Sequence, residues 1–165
     1  MSVPQTDTEQ TDTEAPPYAT ATIHRHVEWV DTDAAGHHHN SAILRWVEAC
    51  EAELSHDLGL DDYFPSAPRV HQTVDFTSRL SFGQEVTTTV AIRKIGRTSL
   101  TLDFEVFGEA FGGQDRIAAA HGYLVTVHMA PAGDHATPWP QATIDAIRKP
   151  HHPPTAHHET NKENH

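Results

Sequence analysis

The sequence is short of cysteine and of positive charge, and it has no long apolar run. Cys50 is the single cysteine among 165 residues, which excludes an intrachain disulfide and suits a reducing compartment. Lysine and arginine number 11 against 23 aspartates and glutamates, for a formal charge of -12. That balance disfavours a general nucleic-acid or anionic-membrane binder, since both need basic surface. No stretch reaches the roughly 20 apolar residues of a membrane-spanning helix. The opening MSVPQTDTEQTDTEAPP has neither the basic start nor the apolar core of a signal peptide. The expectation is a cytoplasmic protein.

What is present is enough for one domain with a real core. Residues 1–20 repeat TDTE twice and end in Pro16 and Pro17, a composition too polar to offset the entropy of ordering, so a disordered acidic tail is expected. Residues 150–165, HHPPTAHHETNKENH after Pro150, form a second expected tail. Its histidines are joined by no cysteine or spaced carboxylate that would complete a ligand set. The folded domain is expected over residues 21–149.

Within it, TIHRHVEWV places Ile23, Val27 and Trp29 on one face with period two, as in a strand. From Ser41 the period changes. Ile43, Val47, Cys50, Leu54 and Leu58 recur at spacings of three and four, with Arg45, Glu48, Glu51 and Asp57 largely off that stripe. This predicts an amphipathic helix with Cys50 buried, started by Asn40 or Ser41 as cap and ended by Gly59 in a left-handed conformation. RVHQTVDFTS, EVTTTVAIRK, TSLTLDFEVFG and DRIAAAHGYLVTVHM then read as four strands, with Gly96 punctuating the middle hairpin and a short helix near PQATIDAIRK. One dry sheet face needs a cover, and the only long apolar helical stripe is that from Ile43 to Leu58.

Between the first strand and the helix stands DTDAAGHHHN, Asp31 to Asn40. Taken alone, Asp31 and Asp33 read as turn and cap residues. His37, His38 and His39 are adjacent, so they cannot all reach one ion without strain, and they match no HExxH spacing. Pocket lining is the better reading for one or two of them, as neutral imidazoles that orient water or substrate. His121 reads as a satisfied structural histidine. Residues 69–97 hold five basic residues (Arg69, Arg79, Arg93, Lys94, Arg97) against two acids (Asp75, Glu85), so this segment carries +3 and the remainder -15 of the total -12.

The order of elements, with VEWVDTDAAGHHHNSAILRWVE and KIGRTSLTL, resembles the hot-dog acyl-CoA thioesterases of the 4-hydroxybenzoyl-CoA thioesterase type. In that family a strand enters a D-x-D-x-x-G loop that feeds a central helix. The matching residues are Asp31, Asp33, Gly36, Arg45, Trp46 and Glu48, and the resemblance covers about residues 23–129. It implies an α+β hot-dog fold, an antiparallel sheet of about five strands wrapped around a long central helix. It also implies a homodimer, often doubled to a homotetramer, with active sites at the dimer interface. Carried over by position, the catalytic carboxylate falls on Asp33 and the carbonyl-polarising N–H on Asn40. Glu48, eight residues after Asn40, is the second carboxylate candidate, because some hot-dog thioesterases use a glutamate on the central helix; its plainer reading is a solvated helix face. The HHHN stretch departs from the apolar or aromatic residues common there.

The chemistry suits these residues. An aspartate of ordinary pKa about 3.9 is ionised at neutral pH, so Asp33 can attack the thioester carbonyl or deprotonate water. The leaving thiol, pKa about 8.5, departs as thiolate without a strong general acid. An unpaired amide at a helix start suits the oxyanion, and Gly36 lets the chain turn sharply between carboxylate and helix. No metal and no cofactor is called for beyond coenzyme A within the substrate, whose phosphates Arg93, Lys94 and Arg97 can hold. The expected partner is an acyl-CoA or acyl-carrier-protein thioester. The alternatives are a hot-dog dehydratase of 3-hydroxyacyl thioesters and a non-catalytic acyl-CoA-binding module.

Overall fold

A computed structural model describes residues 16–150; the acidic stretch 1–15 and the histidine-rich stretch 151–165 lie outside the described residues, and with them most of both expected tails. Strand β1 (Ala19–His26) is followed by helix α1 (Asn40–Asp57), the short helix α2 (Tyr63–Ser66), strands β2 (Arg69–Phe76), β3 (Glu85–Ile95), β4 (Ser99–Gly108) and β5 (Ile117–Val127), and helix α3 (Gln141–Arg148). The five strands form one sheet in the order β1-β3-β4-β5-β2, with every neighbouring pair antiparallel. This is the α+β hot-dog arrangement, with α1 as the element the sheet wraps.

The helix forms where the apolar period is 3.6, and its stripe is what it buries. Ile43, Val47, Cys50, Leu54 and Leu58 are all buried, joined by Ala42 and Trp46. Opposite them lie Val86, Val90 and Ile92 of β3 and Leu100, Leu102, Phe104 and Val106 of β4, the inward-facing half of two alternating strands. Each large side chain so covered contributes roughly 1.5–3 kcal/mol by removing apolar area from water. Cys50 seals the contact, with its thiol 3.4 Å from the carbonyls of Ala21 and Thr88. Burial pushes that thiol up to about 12, so it is an inert core group.

Gly59 ends α1 as expected: it takes a left-handed φ of 66°, its N–H bonds to the His56 carbonyl, and Leu60 N–H reaches back to that of Ser55. Three local expectations are corrected. The first strand stops at His26, and Trp29 stands 80% exposed in a 3-10 turn (Trp29–Asp31) instead of on the strand's inner face. The strand's buried face is carried by Ala19 and Ala21, with Ile23 half-buried, instead of by Ile23, Val27 and Trp29. Glu51, read as lying largely off the apolar stripe, is 2% exposed, because Arg69 and Tyr63 reach it.

Candidate active site

The stretch from Asp31 to Asn40 folds as a tight loop stitched to the helix start. Asp33 N–H donates to the His37 carbonyl at 2.9 Å, and Gly36 N–H to the Asp33 carbonyl at 3.0 Å. Gly36 closes the turn at φ 77°, a conformation that side chains rarely adopt. Asp33 Oδ1 accepts the Ala35 N–H at 2.8 Å, so the turn-forming role is real and holds the carboxylate in place. That bond from Ala35 holds the Asp33 carboxyl below its ordinary pKa, aided by the His37 backbone and neighbouring imidazoles. Oδ2 bonds to no described residue. Asp33 is exposed in the single chain.

Asp31 behaves differently. It is 6% exposed; its Oδ1 meets Arg45 Nη2 at 2.6 Å and its Oδ2 accepts the Glu28 N–H at 3.0 Å. Its carbonyl accepts the His39 N–H at 2.6 Å, which ties the base of the loop to the residue before α1. The N-cap of α1 is His39, not Asn40 or Ser41: His39 Nδ1 accepts the Ser41 N–H at 3.1 Å. A histidine caps here because its Nδ1 stands where a serine or aspartate oxygen would. Asn40 is therefore the first helical residue, and its N–H has no partner among the described residues. It sits at the positive end of an 18-residue helix.

The three histidines diverge. His38 turns inward, 7% exposed, and exchanges two bonds with Leu80: His38 N–H donates to the Leu80 carbonyl and Leu80 N–H donates to His38 Nδ1, each at 3.0 Å. Burial pushes its pKa down, and the accepting Nδ1 fixes the neutral tautomer with the proton on Nε2. His38 thus frames the loop instead of lining an open pocket. His39 is occupied as the cap, and His37 pairs with Ser81 in an isolated bridge. Among the described residues no group of three His, Cys, Asp or Glu is placed to hold a metal ion. His121, expected to be a satisfied structural residue, is exposed on the sheet's outer face, 3.8 Å from Asp75.

Glu48 faces solvent on α1. With Arg45, Ala49, Ala52 and Phe64 it lines an open groove of about 470 Å³. A larger cavity of about 710 Å³ lies at the other end of the helix, between residues 59–66, the segment after β5, and α3. It contains none of the candidate catalytic residues, so its size does not mark it as the reaction site. Of the three hairpin cations, Arg93 is committed to Asp103 at 3.1 Å, while Lys94 and Arg97 are exposed and form no ion pair among the described residues. Arg69 is likewise taken, by Glu51 at 2.6 Å. The Asp31–Arg45 and Glu51–Arg69 pairs escaped sequence reasoning because their partners stand 14 and 18 residues apart, outside any helical or strand period. The one local signal was Ser41 four residues before Arg45, whose Nη1 donates to Ser41 Oγ at 3.0 Å.

The sheet, the single long helix across it, and a loop that delivers a carboxylate next to the helix start define a hot-dog domain. Residues 27–147 match the model of the thioesterase-like superfamily, and the chain belongs to that family. It is a thioester hydrolase by class. Among solved structures it is similar to a predicted thioesterase from Bacillus stearothermophilus (26% identity, 83% of this chain and 100% of that one, TM-score 0.68). It also resembles a 1,4-dihydroxy-2-naphthoyl-CoA thioesterase from Synechocystis (23% identity, 81% and 99%, TM-score 0.70). A third is the 4-hydroxybenzoyl-CoA thioesterase from Pseudomonas sp. strain CBS-3 (20% identity, 78% and 99%, TM-score 0.70). No curated protein sequence matches. No helix among the described residues is long and apolar enough to cross a membrane.

Proposed function

We propose that this chain hydrolyses an acyl-CoA thioester, with Asp33 as nucleophile or general base and the Asn40 N–H as oxyanion donor. What supports the reading is one short loop, tied to the helix start by the bond from the His39 N–H to the Asp31 carbonyl. It carries a fixed carboxylate at Asp33 and leads into the unengaged Asn40 amide at the start of α1. Coenzyme A fits as the thiol carrier because Lys94 and Arg97 stand exposed at the β3–β4 turn for its phosphates. The Synechocystis and Pseudomonas proteins named above are thioesterases of aroyl-CoA substrates, which makes aroyl-CoAs the first compounds to assay.

The working unit we propose is a homodimer, or a tetramer built from it. Asp33 is open to water in one chain, so a second surface is needed to exclude solvent from the reacting carbonyl. Strand β2 ends the sheet and exposes Val70 and Phe76, an edge that another copy can cover. A buried, unpaired Cys50 accords with a cytoplasmic location.

The test is hydrolysis of a panel of acyl- and aroyl-CoAs by wild type and Asp33→Asn, read by thiol release. Wild type is expected to turn over at least one member and the variant to lose 10²-fold or more, on the order of the loss of a principal catalytic group. The pH profile sharpens this. The bond from the Ala35 N–H favours the charged carboxylate, so Asp33 is ionised at neutral pH and the rate that it supports is expected to fall on the acid side only, with a plateau through neutral pH. Wild-type turnover by Asp33→Asn removes that residue from the mechanism. Enoyl-thioester formation, or tight acyl-CoA binding without thiol release, replaces the hydrolase reading with the dehydratase or the binding module.

A further inference from the structure

The Asp33 loop and the start of α1 are separate pieces of chain, and hydrolysis by Asp33 and Asn40 requires their spacing to be fixed. The bonds that fix it converge on one side chain. Arg45 Nη2 holds Asp31 Oδ1 at 2.6 Å, and Arg45 Nη1 donates to Ser41 Oγ at 3.0 Å. Ser41 Oγ lies 2.8 Å from His39 Nδ1, and the His39 N–H returns to the Asp31 carbonyl at 2.6 Å. The result is a closed ring: Asp31, Arg45, Ser41, His39 and back to Asp31. It ties together the two stretches that carry the site: Asp33 lies two residues after Asp31, on the loop whose base the ring closes, and Asn40 stands between His39 and Ser41.

We propose that Arg45 is a positioning residue for thioester hydrolysis, a guanidinium clamp that sets the Asp33 carboxylate against the Asn40 amide. The inference rests on the roles given to Asp33 and Asn40 above. Asp31 and Ser41 are held by two different nitrogens, Nη2 and Nη1, of one rigid planar head, whereas a lysine ammonium carries its three donors on a single rotating nitrogen and lacks that fixed fork. The Arg45 side chain is 49% exposed but Asp31 beneath it is buried, so Arg45→Ala also strands that carboxylate, and the Asp31→Asn background and the exchange of β3 and β4 amides separate lost stability from lost geometry. The effect of Arg45 on the rate is geometric: a misplacement of about 1 Å in a reacting constellation costs about 10²-fold in rate.

The test compares wild type, Arg45→Ala and Arg45→Lys on whichever acyl-CoA wild type hydrolyses. Arg45→Ala is expected to lower kcat by about 10²-fold with KM within about threefold of wild type, and added guanidinium to restore part of the loss; Arg45→Lys is expected to fall between. Asp31→Asn with Arg45→Ala is expected to cost no more than the worse single variant, as for two members of one ring. A second readout needs no activity. Hydrogen exchange at the His39 amide is expected to speed up about tenfold or more in Arg45→Ala while amides of β3 and β4 keep their protection. Wild-type kcat in Arg45→Ala overturns the proposal, as does a loss of kcat that guanidinium leaves untouched and that comes with faster exchange across β3 and β4. If wild type hydrolyses no acyl-CoA, the functional reading fails by itself and the His39 exchange rate still decides whether the clamp exists.

Discussion

Asn40→Pro is expected to lower kcat by about 10²- to 10³-fold, equivalent to about 2.7–4 kcal/mol of transition-state stabilisation, with a melting temperature close to that of wild type. Both halves of this expectation follow from where the helix begins. His39 is the N-cap, so Asn40 is the first helical residue, the one place in a helix where proline is favoured: the missing N–H takes part in no intrahelical bond and the fixed φ suits the turn. The residue before it must be extended, and His39 already has φ -75° and ψ 141°. The substitution therefore deletes one hydrogen-bond donor with the fold intact. Asn40→Ala is the control, since it removes the side chain and keeps the amide, and it is expected to retain kcat within a few-fold. Full activity in Asn40→Pro would assign the oxyanion to another donor.

This experiment depends on a boundary that the sequence left one or two residues off. Asn40 and Ser41 are better caps by propensity than a histidine. The structure prefers His39 because the loop's last bond, His39 N–H to the Asp31 carbonyl, fixes that residue in extended geometry and turns its Nδ1 toward Ser41. A tertiary contact overrode a local preference. The same distinction runs through the rest of the chain. The helix from Ile43 to Leu58 and the four strands after it were legible, because hydrophobic period is a local property that burial then enforces. The loop was legible through Gly36 and Asp33, whose turn chemistry is also local.

Side-chain destinations were not legible. Nothing in HHH distinguishes the inward His38 from the capping His39; Leu80, 42 residues away, decides that. Nor does a surplus of basic residues between 69 and 97 reveal which of them are already neutralised: Arg69 and Arg93 are paired within the domain, which leaves Arg79, Lys94 and Arg97 exposed. Trp29 kept the alternation of a strand but lies in a turn that Asp31 closes by accepting the Glu28 N–H.

The pairing of Arg69 carries the second large effect. Arg69→Ala is expected to destabilise the domain by about 3–5 kcal/mol, because it leaves the Glu51 carboxylate in the core without its counter-charge. Glu51 is 2% exposed; Arg69 Nη2 meets its Oε2 at 2.6 Å and Tyr63 O–H donates to its Oε1 at 2.7 Å. Tyr63 is itself buried, and burial followed by the neighbouring Glu51 charge drives its pKa far upward, so the phenol stays a donor at every working pH. It satisfies one carboxylate oxygen but supplies no positive charge. For a domain of this size each kcal/mol is worth roughly 2–4 °C, so thermal unfolding is expected to shift down by about 10 °C. Glu51→Gln in the Arg69→Ala background tests the cause: the neutral amide can still accept from Tyr63, removes the stranded charge, and is expected to recover part of the loss. A single Arg69→Ala variant that melts within about 2 °C of wild type would mean that water reaches Glu51 once the guanidinium is gone, and that the contact between α1 and the β2 edge is held by apolar packing alone.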